Sequence, residues 1–179
     1  MLDATRRRFL IILVVGGAAV LGSYVHGIAT HPETRNEVWG GVPESLKPLY
    51  TVSMFTAAAG WMLFTSYLFF RLPPAQTRIA GGLDYRAFVV LQAVALVGSA
   101  LWMPLTFLYL DAPSAGLWWL IRIDLLGVGL AALGIIVALA VAEPRPASVW
   151  RALALLGSVL FAFQTLVLDA LVWPAYFPS

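Results

Sequence analysis

Apolar residues in this chain run in long unbroken blocks with no period-2 alternation, and short polar stretches separate the blocks. The blocks cover roughly 9–28, 49–70, 88–110, 116–141 and 149–172. Each reaches the roughly 20 residues that span a hydrocarbon core. A backbone inside a bilayer has to satisfy its own hydrogen bonds, so the blocks predict helices. The linkers THPETRNEVWGGVPESLKP, RLPPAQTRIAGGLDYR, DAPSA and AEPRPAS all contain proline, which stops or starts helices at little cost. The pattern therefore predicts an all-α fold. It is one polytopic membrane domain over residues 1–179, a bundle of five transmembrane helices with no soluble domain and no internal repeat.

Composition agrees with that solvent. Hydrophobic residues make up 61% of the 179 residues and charged residues 11%, against about 25% charged in soluble domains. There is no cysteine, which excludes disulfides and cysteine-based metal or nucleophile chemistry. A net charge of +2 is too small to suggest nucleic acid. The order of the arginines matters more. Arg6, Arg7, Arg8, Arg71, Arg78, Arg86, Arg145 and Arg151 fall on one side of the predicted bundle. Arg35 and Lys47 fall on the other, beside Glu33, Glu37, Glu44 and Asp111. The positive-inside rule then puts the N-terminus in the cytoplasm and the C-terminus outside. TRRRFL at 5–10 has the look of a twin-arginine export motif, but four further spanning segments follow, and it reads as a cytoplasmic charge anchor. The expected location is a bacterial inner membrane or an organelle membrane.

Polar residues inside the blocks are the candidate chemistry. In LWWLIRIDLL (117–126), Arg122 and Asp124 are the only charges before Glu143. They sit two apart, so on a helix they point in nearly opposite directions and cannot simply pair. Counted from Gly116 at 1.5 Å per residue, Arg122 lies about 9 Å down the fourth helix and Asp124 about 12 Å. Arg122 is long enough to snorkel outward or to reach Asp169 or Asp111. Asp124 is short and needs a partner such as Gln164, a tryptophan N–H or water. Asp169 lies near the outer end of the fifth helix, with Thr165 and Trp173 on the same face at α-helical spacing. Ionisable groups at membrane depth normally face a bundle interior or a wet cavity, so these residues predict one shared polar site opening outward. Trp102 and Tyr109 lie in the same leaflet as Trp118, Trp119, Trp173 and Tyr176, and for each of these last four alone an aromatic belt is the plainer reading. No metal-ligand cluster and no nucleophile–base pair is visible.

Several stretches resemble the tryptophan-rich sensory protein and translocator protein family, TspO/MBR. LQAVALVGSALWMPLTF (91–107) is similar to that family's third helix, with its W-x-P-x-x-F pattern at Trp102, Pro104 and Phe107. WWLIRIDLL looks like the start of the fourth helix. LDALVW (168–173) resembles the end of the fifth, with Asp169 where asparagine is usual, and GSYVHG with VWGGVPESLKP resembles the end of the first helix and its loop. The resemblance implies a binding or sensory protein that holds a flat, largely apolar ligand, porphyrin- or sterol-like, between five helices under a capping loop. Homodimers are usual in it. Carried over by position, Trp39 belongs to the cap, Trp102, Trp119 and Asp124 to the pocket wall, and Thr165, Asp169 and Trp173 to the facing turns of the fifth helix. Arg122 is a candidate for an anionic ligand group such as a propionate. No cofactor is required on this reading, although porphyrin, haem or lipid could be bound. Two alternatives remain: a small membrane enzyme of sterol-isomerase type using Asp124 and Asp169 (with His26 also in reach), and an accessory subunit of a larger membrane complex, packed through small-residue faces such as Ala95/Ser99 and Gly127/Ala131.

Overall fold

The computed structural model describes residues 3–145 and 148–177. Among the described residues five helices are long and apolar enough to cross a membrane, and the chain is an integral membrane protein. They are α1 (Ala4–Thr30), α2 (Lys47–Phe70), α3 (Arg86–Asp111), α4 (Ala115–Val141) and α5 (Val149–Ala162). The last continues through a π-helical stretch, Phe163–Val172, into a final α-turn, α6 (Trp173–Tyr176). The sequence placed the fifth helix as one regular α-helix, and this π stretch is the main departure.

Local chemistry sets the helix ends. The Asp3 carboxylate accepts from the Arg6 N–H at 2.8 Å, so α1 starts among its arginines, ahead of its apolar block. Ser114 and Ser148 cap α4 and α5 in the same way, accepting from Leu117 and Arg151. Each fills one of the backbone N–H groups that a helix N-terminus leaves open.

Neighbouring helices follow the order α1–α3–α4–α5–α2, and α2 meets α1 only marginally. α1 is thus held almost entirely by α3, and its buried residues are Phe9 and Gly27. The tightest crossing joins α2 to α5. A methyl group on Gly60 would collide with the Gly157 carbonyl, and one on Gly157 would meet the Gly60 carbonyl at 2.5 Å. The two backbones touch directly, which is how helices associate where lipid is as apolar as a side chain.

Two cores stack along the bundle. One, around Phe9, Phe64, Leu68, Tyr85, Phe88, Ile135 and Leu139, lies at the N-terminal end. Tyr85 is buried there, its hydroxyl donates to the Leu68 carbonyl at 3.0 Å, and burial raises its pKa. The α2–α3 linker forms a small antiparallel hairpin, β1 (Arg78–Ile79) and β2 (Leu83–Asp84). Gly81 and Gly82 turn it at positive φ. Arg78 also exchanges two backbone hydrogen bonds with Glu143 of the α4–α5 linker, at 3.0 and 2.8 Å. The linkers carrying Arg71, Arg78, Arg86 and Arg145 therefore meet at one end of the bundle, the end where α1 begins. The second core, at the opposite end, is the aromatic one that carries the site.

Candidate functional site

Trp118, Trp173 and Phe177 form the centre of the second core, with Val42, Tyr50, Tyr109, Ile121, Leu125 and Leu168 around them. Trp118 stacks on Phe177 with ring centroids 5.6 Å apart, and Trp173 lies 4.5 Å from Phe177. Trp102 packs edge-on to Trp173 at 6.0 Å and against Tyr24 of α1 at 5.7 Å. Four elements thus deliver flat rings to one end of the bundle.

The loop between α1 and α2 closes this end. The Trp173 indole N–H donates to the Val38 carbonyl at 3.0 Å, and the Gly41 N–H donates to the Tyr176 carbonyl at 2.7 Å. Trp39 sits in the loop edge-on to Tyr50, with the Lys47 ammonium 5.8 Å from its ring centre. His31, at the C-terminus of α1, stacks on Phe107 at 4.0 Å and lies 3.9 Å from the Asp111 carboxylate, which ties α1 to the end of α3.

Below the rings lie the polar groups. The Gln164 side-chain amide donates to the Asp169 carboxylate at 2.7 Å. The π-helix makes this possible, because its i→i+5 repeat sets residues five apart one above the other. An α-helix would have turned them apart. Asp124 of α4 rests against α3 where Gly98 has no side chain: a methyl there would strike Val128 and lie 2.9 Å from the Asp124 Oδ1. Gly98 lies four residues before Trp102 on α3, so the Asp124 carboxyl rests one helical turn from Trp102. Three buried atoms here make no hydrogen bond among the described residues: Asp124 Oδ2, Gln164 Oε1 and Trp102 Nε1. Leaving a polar group buried and unpaired costs about 1–3 kcal/mol.

The expected set is therefore divided. Trp102, Asp124, Asp169 and Trp173 come together. Thr165 is buried, but its hydroxyl is used within its own helix, donating to the Phe161 carbonyl at 2.9 Å. Trp119 and Arg122 lie outside the site. Trp119 is 58% exposed, and the Arg122 guanidinium lies over its ring at 5.2 Å on the outward face of α4. Among the described residues Arg122 makes no salt bridge, so the ion pair to Asp169 or Asp111 does not form; Asp169 takes Gln164 instead, and Asp111 faces His31. Of the two adjacent tryptophans it is Trp118 that faces inward. Tyr24, Gly98, Trp118 and Gln164 complete the site.

No family model, curated protein or solved structure matches this chain.

Proposed function

We propose that this protein is a membrane-embedded binding or sensory protein. It holds a flat, largely apolar ligand of porphyrin or sterol type among the rings of Trp102 and Trp173, with a polar edge of the ligand directed at Asp124, Gln164 and the Trp102 N–H. The observation that carries the reading is the set of three buried, unpaired polar atoms beside an aromatic wall. Binding sites for small apolar molecules combine such walls with a few placed polar groups, and tryptophan supplies a rigid face with one N–H handle. The resemblance to the TspO/MBR family supports the same ligand class. The capping loop, fixed by the Val38 and Tyr176 backbone bonds, would cover the ligand. The arginine-poor end that carries the site is the outer one by the positive-inside rule.

The test is titration of the purified protein with protoporphyrin IX, read by tryptophan quenching. Trp102→Phe keeps a flat ring but deletes the N–H, and it is expected to weaken binding about tenfold. Trp150, half exposed at the other end of the bundle beside Arg71, serves as control, and Trp150→Phe is expected to leave the affinity unchanged. Equal weakening in both variants would mean nonspecific partitioning and would end this reading.

A further inference from the structure

A groove of about 420 Å³ runs between α3 and α4 on the outward side of the bundle. Its walls include Val94, Val97 and Ile123, which are 45%, 59% and 64% exposed, and its floor includes Gly98, Asp124 and Gly127. These walls face lipid. The floor carries a carboxyl group. Asp124 makes no hydrogen bond and no ion pair among the described residues. The groove is open because of its glycines. A methyl on Gly98 would strike Val128 and the carboxylate, whereas a methyl on Gly127 would meet nothing within 4 Å.

We propose that this groove is a binding site, open to the bilayer, for a slender apolar molecule bearing a single amine, whose ammonium group sits on the Asp124 carboxyl beside Gly98. Charge complementarity selects the amine. A carboxyl group at membrane depth without a partner is costly, and an ammonium supplies the missing charge and the missing donors together. Depth selects a small single molecule over an aminophospholipid. Asp124 lies nine residues into α4 from Ala115, which is about 13 Å along the axis and below the level of a lipid headgroup. Arg122 cannot serve as the cation, because it lies about 200° round the same helix and rests on Trp119. The volume falls within the roughly 300–1,000 Å³ of small-molecule sites. The inference goes beyond the interior site: it uses the lipid side of Asp124 and needs neither Trp102 nor Trp173.

The experiment uses the full chain in nanodiscs of phosphatidylcholine, a lipid without a primary amine, titrated with dodecylamine and separately with dodecanol. The expected result is saturable binding of one amine per chain, about tenfold tighter than the alcohol. Asp124→Asn and Gly127→Leu should each weaken it by about tenfold or more. The Cβ of Gly127→Leu meets nothing within 4 Å, and the melting temperature of this variant is expected to stay near that of the parent. Binding of porphyrin to Gly127→Leu should be unchanged, so a failed interior site and a failed groove give different results. Three outcomes overturn the proposal. One is equal amine binding by the parent and either variant. Another is non-saturable uptake alone. The third is a dimer that Gly127→Leu dissociates, which would make the groove a contact between copies of the chain.

Discussion

Gln164 and Asp169 are joined side chain to side chain across one turn of a π-helix, with the amide nitrogen 2.7 Å from the carboxylate. The bond gives Asp169 its partner at membrane depth, and it exists only while the 163–172 stretch keeps its wide turn. A single π-turn is already uncommon and is frequently found at functional sites. Here ten residues adopt it, directly beneath the aromatic end.

Gln164→Leu removes the donor and strands the carboxyl group. The expected loss of stability is about 1–3 kcal/mol, the cost of an unsatisfied buried polar group. Adding Asp169→Leu in the same chain should recover part of the loss, because both partners are then apolar. Unfolding of the two single variants and the double variant in detergent measures this cycle. Strictly additive losses would remove the hydrogen bond from the account.

At the α2–α5 crossing, Gly60→Ala drives a methyl into the Gly157 carbonyl. Backbone cannot rotate away as a side chain does, so the expected destabilisation is at least about 1–3 kcal/mol. Gly17→Ala is the matched control, since nothing lies within 4 Å of its added methyl. There the exchange should stabilise the helix by roughly 0.5–1 kcal/mol. The two melting temperatures should move in opposite directions.

The five helices were legible in the sequence because length and hydropathy alone decide what spans a membrane. Which linkers share an end was legible because successive spanning helices alternate in direction, and the Arg78–Glu143 pairing joins two of those linkers. Which face of each helix turns inward was not. Lipid and protein core are both apolar, so a membrane helix carries little of the amphipathic stripe that marks a soluble one. For this reason Trp118 and Trp119 could not be told apart, although one is buried and the other 58% exposed. Thr165, Asp169 and Trp173 were aligned on an α-helical period, which the π stretch breaks. A residue spacing of five carries no signal unless a π-turn is already suspected. The Gly81–Gly82 pair of the hairpin was visible, but its flanking strands are two residues each, too short to show alternation.

Arg122 illustrates how a charge at membrane depth can be accommodated without an ion pair. Its guanidinium covers the Trp119 face, an arrangement worth roughly 0.5–1 kcal/mol at an exposed site. Arg122→Ala and Asp169→Asn should therefore change stability independently, with the double variant within about 0.5 kcal/mol of the sum. Trp119→Leu should remove most of the effect of Arg122→Ala. Coupling of Arg122 to Asp169 and not to Trp119, measured by unfolding of the same variants, would reverse the assignment.

The last prediction concerns orientation in the membrane. The hairpin and the α4–α5 linker meet at the end rich in arginine, and the α1–α2 loop with Glu33, Glu37 and Glu44 lies at the other. The positive-inside rule then puts the hairpin in the cytoplasm and the loop outside. The chain has no native cysteine, so single reporters can be introduced cleanly. Thr77 is a poor position, being fully buried with its hydroxyl donating to the Pro73 carbonyl at 2.8 Å. Gln76 and Ser45 are both exposed. In intact cells, a membrane-impermeant maleimide should label Ser45→Cys at once and Gln76→Cys only after the membrane is opened. The reverse order would invert the protein and move the aromatic site to the cytoplasmic side. Labelling of both from outside would mean that the chain inserts in two orientations, and the arginine split would then no longer decide which face a ligand approaches.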